Sequence, residues 1–319
     1  MSKYHVVTFG ETMLRLSPKN NKTLEQADEF EVLCAGSESN VAVALSRLGL
    51  QSCWFSRLVN NPVGRRITNM IRAHGVDVSQ VRWTDEGRNG VAFMELGAPP
   101  RSTEVVYDRA GSAASRLDSE SVDWRVLKKA KHLHVTGITV ALSPSCAECV
   151  TTAIAKAKED GLTISFDVNY RQKLWPPGRA SEVLEPLMME ADILFMTSDD
   201  AEQLFALKGS AEKMLEAAAA RFGTKWTVLT LGGDGAIVSV EGKTLKEAGH
   251  PVQEIDRIGA GDAFVGGFLY GYFKDDPEQA LKYGLAMSAL KMTTPGDLSF
   301  ATLNQVRALA AGDNKSVKR

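Results

Sequence analysis

The strongest chemical signal in this chain of 319 residues is the run Asp256-Arg257-Ile258-Gly259-Ala260-Gly261-Asp262-Ala263-Phe264. Small residues at 259–261 immediately precede an apolar helical stretch, AFVGGFLYGYF. Amides at a helix start point outward and the helix dipole adds positive potential there, so Gly259, Ala260 and Gly261 read as an anion site. Asp262 is the anomaly, because a carboxylate beside an anion site repels a phosphate. Its fitting chemistry is to take a proton from a hydroxyl that attacks that phosphate. The same spacing also suits a plain helix cap. A second glycine cluster, Thr230-Leu231-Gly232-Gly233-Asp234-Gly235, follows the strand-like WTVL. It is either a nucleotide-binding turn or a tight hairpin into AIVSV. Neither a G-x-x-x-x-G-K-[ST] loop nor a G-x-G-x-x-G after the first strand is present, so ordinary P-loop and dinucleotide readings are weak.

Two polar clusters complete the set. Ala35-Gly36-Ser37-Glu38-Ser39-Asn40 opens an alanine-rich helix, where small polar groups suit a hydroxylated ligand or simply cap the helix. Phe166-Asp167-Val168-Asn169-Tyr170-Arg171 ends a strand, the place where wound α/β sheets hold ligands. Cys146 and Cys149 form a single C-x-x-C inside a helical pattern. With no second pair and no strand feeding them, they read as two small residues one helical turn apart rather than a redox pair or half a zinc site. His132 and His134 share one face of a strand without a carboxylate partner in sequence, which argues against a metal site.

These residues need a scaffold, and the chain supplies an alternating one. Strand-like runs YHVVTFGE, CWFSRLV, HLHVTGI, LTISFDV, DILFMT and WTVLTLG are separated by helical patterns. Gly49, Gly75, Gly161 and Gly223 each follow the last periodic residue of a helix, where glycine takes the left-handed conformation freely. Asp276-Pro277-Glu278 reads as a helix start. The expected fold is a three-layer wound α/β sheet. Residues 11–33 and 88–110 interrupt the alternation with short strands and turns, the second around GAPP, and are expected to form a small β lid. The expected division is therefore an α/β domain at 1–10, 34–87 and 111–312, the lid at 11–33 and 88–110, and a polar tail at 313–319.

Composition narrows the function classes. Net charge is −2, 24% of residues are charged and 44% are hydrophobic, which is globular and gives no electrostatic case for nucleic acid or an anionic membrane. Apolar runs fall short of the roughly 18 residues of a membrane helix, and the first residues carry no apolar leader, so a cytoplasmic protein is expected. Four cysteines are too few for a disulfide framework.

GSESNVAVALSRLG and DRIGAGDAFVGGF resemble the two signatures of the ribokinase-type (phosphofructokinase-B) carbohydrate kinases, with TLGGDG matching a third motif in order and spacing. VVYDRAGSAAS, VTGITVALSP and DVNYRQKLW resemble 2-keto-3-deoxygluconate kinases in particular. The resemblance spans about residues 4–300 and implies a ribokinase-like fold, ATP and Mg²⁺. It implies that Asp262 is the general base and that Gly259, Ala260 and Gly261 hold the transferring phosphoryl. Asn169 and Thr230 to Gly235 would contact the nucleotide. Gly36, Asn40, Tyr107, Arg109, Arg171 and Asp297 would hold or enclose the sugar. Two arginines suit a sugar acid, since guanidinium pairs directionally with carboxylate. The family's metal-associated N-x-x-E appears here as Thr197-Ser198-Asp199-Asp200, leaving Asp200 to act on Mg²⁺ through water. Where sugar-acid kinases often carry a lid tyrosine, this chain has Ala92 beside Phe93. The expected activity is phosphorylation of the 6-hydroxyl of 2-keto-3-deoxygluconate. The alternatives are a kinase for a neutral sugar such as fructose or ribose and a non-catalytic sensor of the same fold. A homodimer or higher homo-oligomer through the lid is expected as well.

Overall fold

The computed structural model describes residues 2–97, 100–274 and 276–313. The expected GAPP turn falls in part on residues 98 and 99, and most of the expected tail on 314–319, so both lie partly outside the described residues.

Among the described residues the chain runs through fourteen strands and ten helices. The order is β1 (Val6–Phe9), β2 (Met13–Pro18), β3 (Phe30–Ala35), α1 (Ser37–Arg47), β4 (Ser52–Phe55), β5 (Arg57–Val59), α2 (Pro62–Arg72), β6 (Arg82–Thr84), β7 (Val91–Glu95) and β8 (Glu104–Asp108). There follow β9 (His132–Thr136), α3 (Gly137–Leu142), α4 (Pro144–Glu159), β10 (Thr163–Asp167), α5 (Pro177–Met188), β11 (Ile193–Thr197), α6 (Ser198–Phe205), α7 (Ala211–Phe222), β12 (Trp226–Thr230), β13 (Ala236–Val240) and β14 (Lys243–Glu247). The chain closes with α8 (Ala260–Tyr272), α9 (Pro277–Met292) and α10 (Leu303–Ala310).

Eight strands form one mixed sheet in the order β14-β13-β12-β11-β10-β9-β1-β4. β4, β1, β9, β10, β11 and β12 are parallel, and β13 and β14 add an antiparallel edge. Parallel strands must be covered on both faces, which is why β9 is buried at every position. One face carries a core with residues of α4, α5, α6 and α7, the other a core with residues of α1, α8, α9 and α10. The three-layer expectation is met. Gly49, Gly75, Gly161 and Gly223 all have positive φ, and Asp276 caps α9 by accepting from the Gln279 amide.

The two interruptions meet in a second, four-stranded sheet in the order β3-β2-β7-β8. β7 and β8 form an antiparallel hairpin pairing Ala92 with Tyr107, and β2 runs parallel to β7. β3 continues to Ala35, so Cys34 and Ala35 belong to this sheet's pairing rather than to the large one. The strand-like CWFSRLV splits: Ser52–Phe55 joins the large sheet, while Arg57–Val59 pairs with Arg82–Thr84 in a two-stranded ribbon. The helix that matters most for the site, α8, is buried along nearly its whole length. Phe268 meets Phe195 of β11 and Trp226 of β12 edge-on, with ring centroids 5.2 and 5.8 Å apart. Truncating such a side chain to alanine costs about 3–5 kcal/mol, so the start of α8 is fixed relative to the sheet.

Candidate active site

The parallel strands of the large sheet place their C-terminal ends together, and the polar clusters follow those ends. Glu11 comes just after β1, Asp167 to Arg171 after β10, Thr197 to Asp200 after β11, and Thr230 to Gly235 after β12. This is the edge where open α/β sheets bind ligands.

Asp262 lies in the first turn of α8, but Gly259 is the residue that caps the helix. The carboxylate therefore does not cap its own helix. It crosses to the start of α1, where Oδ1 accepts from Ser37 Oγ at 2.6 Å and Oδ2 accepts from Asn40 Nδ2 at 2.6 Å. Each carboxylate oxygen keeps further acceptor capacity, so a reacting hydroxyl can still be received. Burial raises the Asp262 pKa above the usual aspartate value, against the donors Ser37 and Asn40 and the charge of Arg171. A raised pKa moves a carboxylate toward the proton affinity that base catalysis at neutral pH favours.

Gly259 holds φ +80°, and a Cβ there would stand 2.2 Å from the Asp297 carbonyl oxygen. Only glycine fits that turn. Ala260 donates its amide to the Arg257 carbonyl and Ala263 to the Gly259 carbonyl, while the Gly261 and Asp262 amides find no acceptor among the described residues. Open first-turn amides of this kind receive anions.

Two clefts take up the expected residues. The first, about 700 Å³, is lined by Thr230, Gly232, Gly233, Gly235, Ala260 and Gly261, with Phe264, Ser288, Ala289 and Met292 behind them. Of the expected nucleotide contacts, Leu231 instead packs against the core of the large sheet, Asp234 lies exposed in the turn, and Asn169 is elsewhere. The TLGGDG segment forms an antiparallel hairpin into β13, and its Thr230, Gly232, Gly233 and Gly235 line the first cleft. The second cleft, about 880 Å³, is lined by Tyr107, Arg109, Ala141, Leu142, Arg171 and Lys173, among others.

The charges of the second cleft are unequally free. Arg109 is already engaged: its Nε and Nη2 lie 2.7 and 2.6 Å from Glu11 Oε2, and Ser112 Oγ donates to Glu11 Oε1. Tyr107 lies under Arg109 at 5.6 Å and Lys173 at 5.8 Å from its ring centre. Arg171 is exposed and donates only to the Tyr170 carbonyl among described protein groups. Ala92 is fully buried and pairs with the half-exposed Tyr107 of the neighbouring strand.

The remaining expected residues gather around Asp262. Gly36 caps α1, and a Cβ there would come within 2.5 Å of Thr12 Oγ1 and the Glu11 carbonyl. Asn169, at φ +41°, donates to Ser37 Oγ at 2.9 Å and to Asp167 at 3.1 Å. It thus stands beside the Ser37–Asp262 pair rather than against the glycine-lined wall. Asp297 is buried and pairs with Arg15 at 2.7 Å. Asp200 closes a capping box on α6 with Thr197.

Sequence reasoning passed over four residues. Ser37 orients Asp262, and Glu11 engages Arg109. Asp167 is half-buried at the end of β10, with its pKa raised well above normal by desolvation first and by Asp262 and Asp200 next. Glu38 is fully buried, accepts from Thr136 and Thr139, and has its pKa pushed up to about 7 by burial. Ser37 and Glu38 sit inside the quoted GSESN motif, so their position was legible and only their partners were not.

A Mg²⁺–nucleotide fits this arrangement in one way. No cluster of three or more acidic, histidine or cysteine groups among the described residues could hold a metal alone. Buried Asp200 and Asp262 and half-buried Asp167 nonetheless all have raised pKa values, and Asp167 feels the charge of both others. That suits a hydrated Mg²⁺ held mainly by phosphates, as is usual for this ion.

Comparison with known proteins decides the family. The model for "pfkB family carbohydrate kinase" matches residues 3–302. The chain belongs to the pfkB family of carbohydrate kinases. It is an ATP-dependent sugar kinase, with ATP and Mg²⁺ as cofactors. It is 39% identical over 315 residues to a 2-dehydro-3-deoxygalactonokinase of Haloferax volcanii, covering 98% of this chain and 99% of that one. It is 32% identical to a 2-dehydro-3-deoxygluconokinase of Thermoproteus tenax, covering 92% and 89%. The crystal structure of a 2-dehydro-3-deoxygluconokinase from Thermotoga maritima superposes with a TM-score of 0.93 at 34% identity, covering 97% of this kinase and all of that chain.

The residues outside the site are structural. All four cysteines of the kinase are free and buried. Burial pushes Cys149 up to about 12, so the C-x-x-C pair packs α4 and is not an acidic redox thiol. His132 and His134 are held by Thr163 and Ser165, and burial lowers both to about 3. No described helix is long and apolar enough to cross a membrane.

Proposed function

We propose that this kinase phosphorylates the 6-hydroxyl of 2-dehydro-3-deoxygluconate, also called 2-keto-3-deoxygluconate. The observation that carries the reading is the second cleft, where Arg171 and Lys173 present positive charge beside Tyr107 and the Glu11-paired Arg109, and where Arg171 is the charge felt by Asp262. A neutral sugar gives such charges no partner, whereas a sugar carboxylate does. The names of the relatives support the same substrate class.

ATP supplies the phosphoryl group and Mg²⁺ neutralises charge on its phosphates. Asp262 accepts the proton of the attacking hydroxyl, and Ser37 and Asn40 hold its two oxygens in place. The amides of Gly261 and Asp262 receive the transferring group at the start of α8, with Gly259 shaping the turn. Arg171 binds the sugar carboxylate, and Arg109 assists from a position fixed by Glu11. Gly36 and Asn40 border the sugar, Asp297 helps enclose the site, and Asn169 orients Ser37 on the phosphate side. Asp200, its carboxylate engaged in the capping box with Thr197, would reach a bound Mg²⁺ only through water. Residues 11–33 and 88–110 act as a lid over the α/β body and exclude water during transfer. Two such lids pair in a homodimer, a reading supported by exposed Val106 and Tyr107 on the edge strand β8. The kinase acts in the cytoplasm on small molecules.

A second substrate is favoured by one specific finding, the 39% identity to a 2-dehydro-3-deoxygalactonokinase. That sugar acid is the C-4 epimer and carries the same carboxylate and terminal hydroxyl. Locating the phosphate by ³¹P and ¹³C NMR after turnover with each epimer tests the proposal. A single 6-phosphate supports it; phosphate on any other carbon refutes the assigned geometry.

A further inference from the structure

Arg15 of β2 is fully buried, yet it touches neither cleft. Its Nη2 donates to Asp256 Oδ2 at 2.6 Å, its Nη1 to Asp297 Oδ1 at 2.7 Å, and its Nε to Ser17 Oγ at 2.9 Å. All three nitrogens of the guanidinium donate, and both carboxylates come from distant parts of the chain. Asp256 begins the segment that becomes the anion-binding turn. Its carboxylate also accepts from the amides of Ile258 and Gly296, at 3.0 and 2.9 Å. Its carbonyl accepts from buried Lys291 Nζ at 2.6 Å. Asp297 is the residue whose carbonyl faces Gly259 so closely that no side chain fits between them. The polar contacts of the turn at 256–261 therefore converge on one guanidinium that belongs to the other sheet.

We propose that Arg15 is a positioning residue that sets the anion-binding turn of 259–261 from the four-stranded sheet. This rests on the reading that 259–261 receives the transferring phosphoryl. β2 carries Arg15 four residues beyond Glu11, and Glu11 holds Arg109 in the sugar cleft. At ~3.3 Å per residue that separation is ~13 Å of extended chain. A single segment thus connects the group that faces the sugar with the group that fixes the phosphoryl turn. A planar fork bridging two carboxylates is something lysine cannot reproduce, because its ammonium is a single point charge.

The test compares Arg15→Lys, Arg15→Met and Asp297→Asn with the wild-type kinase, and Phe222→Leu, in the core far from the clefts, controls for lost stability. Calorimetry with Mg²⁺ and sugar measures the affinity for ADP alone and for ADP with aluminium fluoride, a mimic of the transferring phosphoryl. The expected result for Arg15→Lys is ADP affinity within about threefold of wild type, a loss of about tenfold or more in the extra affinity from aluminium fluoride, and a similar loss in kcat at nearly constant KM. Phe222→Leu moves melting temperature without moving either ratio. Should Arg15→Met fail to fold, Arg15→Lys and Asp297→Asn carry the test. Unchanged kcat and unchanged fluoride-dependent affinity in a folded Arg15→Lys overturn the proposal. So does a loss spread equally over ADP binding, KM and kcat, which marks a merely structural role. Failure of the wild type itself to bind aluminium fluoride more tightly than ADP overturns the phosphoryl-turn reading instead.

Discussion

The cleft proposed for the nucleotide and the cleft proposed for the sugar are built of different material. The nucleotide side is mostly backbone: glycines at 232, 233, 235 and 261 leave main-chain atoms as its surface. The sugar side is side chain: Tyr107 with Arg109, Arg171 and Lys173, and a buried carboxylate, Glu11, holding one of those arginines. The difference follows from the ligands. A triphosphate is recognised by amides and a helix dipole, which any sequence with small residues can present. A sugar acid is told from a neutral sugar by charge, and charges in a cleft have to be held against each other. Substrate choice should therefore change with single side chains on one side, and nucleotide binding with single backbone positions on the other.

Four expected outcomes can break or sharpen that contrast, taken from the largest effect downward. Asp262→Asn is expected to lower kcat by about 10²-fold or more while ADP affinity by calorimetry stays near wild type. Near-normal turnover would end its assignment as the base. Arg171→Ala should raise KM for the sugar acid by about 10-fold or more, the worth of a charge-assisted hydrogen bond of ~1.5–3 kcal/mol, and leave KM for ATP alone. Equal changes in both constants would mean the charges are not divided between the clefts. Gly235→Ala acts on the opposite side, since φ is +107° and the new Cβ would stand 2.1 Å from the Glu247 carbonyl oxygen. It should raise KM for ATP several-fold and cost about 1–3 kcal/mol of stability, with KM for the sugar unmoved. Urea unfolding together with both KM values checks this, and a shifted sugar KM would count against it.

The smallest effect concerns Glu38, buried beneath the start of α1. Its carboxyl is pushed from 4.5 to about 7 in the folded protein. A raised folded pKa gives stability that is fully present below the unfolded value and is lost as pH rises through the folded value. The wild-type kinase should thus lose stability between pH 4.5 and 7 through this group. Glu38→Gln, which keeps an acceptor for Thr136 and Thr139, should flatten that decline and be the more stable at pH 8, by on the order of 1–3 kcal/mol. Identical pH slopes in urea unfolding would show that Glu38 does not titrate there.

The same contrast explains what could be read from the sequence. The wound sheet and the helix ends are local: Gly49, Gly75, Gly161 and Gly223 do their work within a few residues of themselves. The three signatures also marked where the nucleotide wall, α1 and α8 would lie. What stayed hidden was pairing across long sequence distances. Arg109 finds Glu11 across 98 residues, and Arg15 finds Asp297 across 282. Residue type says that a buried arginine needs a carboxylate, not which one. For the same reason Asn169 gave no sign that it would turn toward Ser37, and Asp200 none that its carboxylate would close a capping box.

The most direct test of the whole account is kcat/KM of the wild-type kinase, with ATP and Mg²⁺, for 2-dehydro-3-deoxygluconate and its C-4 epimer against fructose and ribose. The account predicts a preference for the sugar acids of about 10²-fold or more, consistent with roughly 3 kcal/mol from guanidinium–carboxylate contact. Equal or better turnover of fructose or ribose would contradict it and show that the charges of the second cleft serve something other than the substrate's carboxylate.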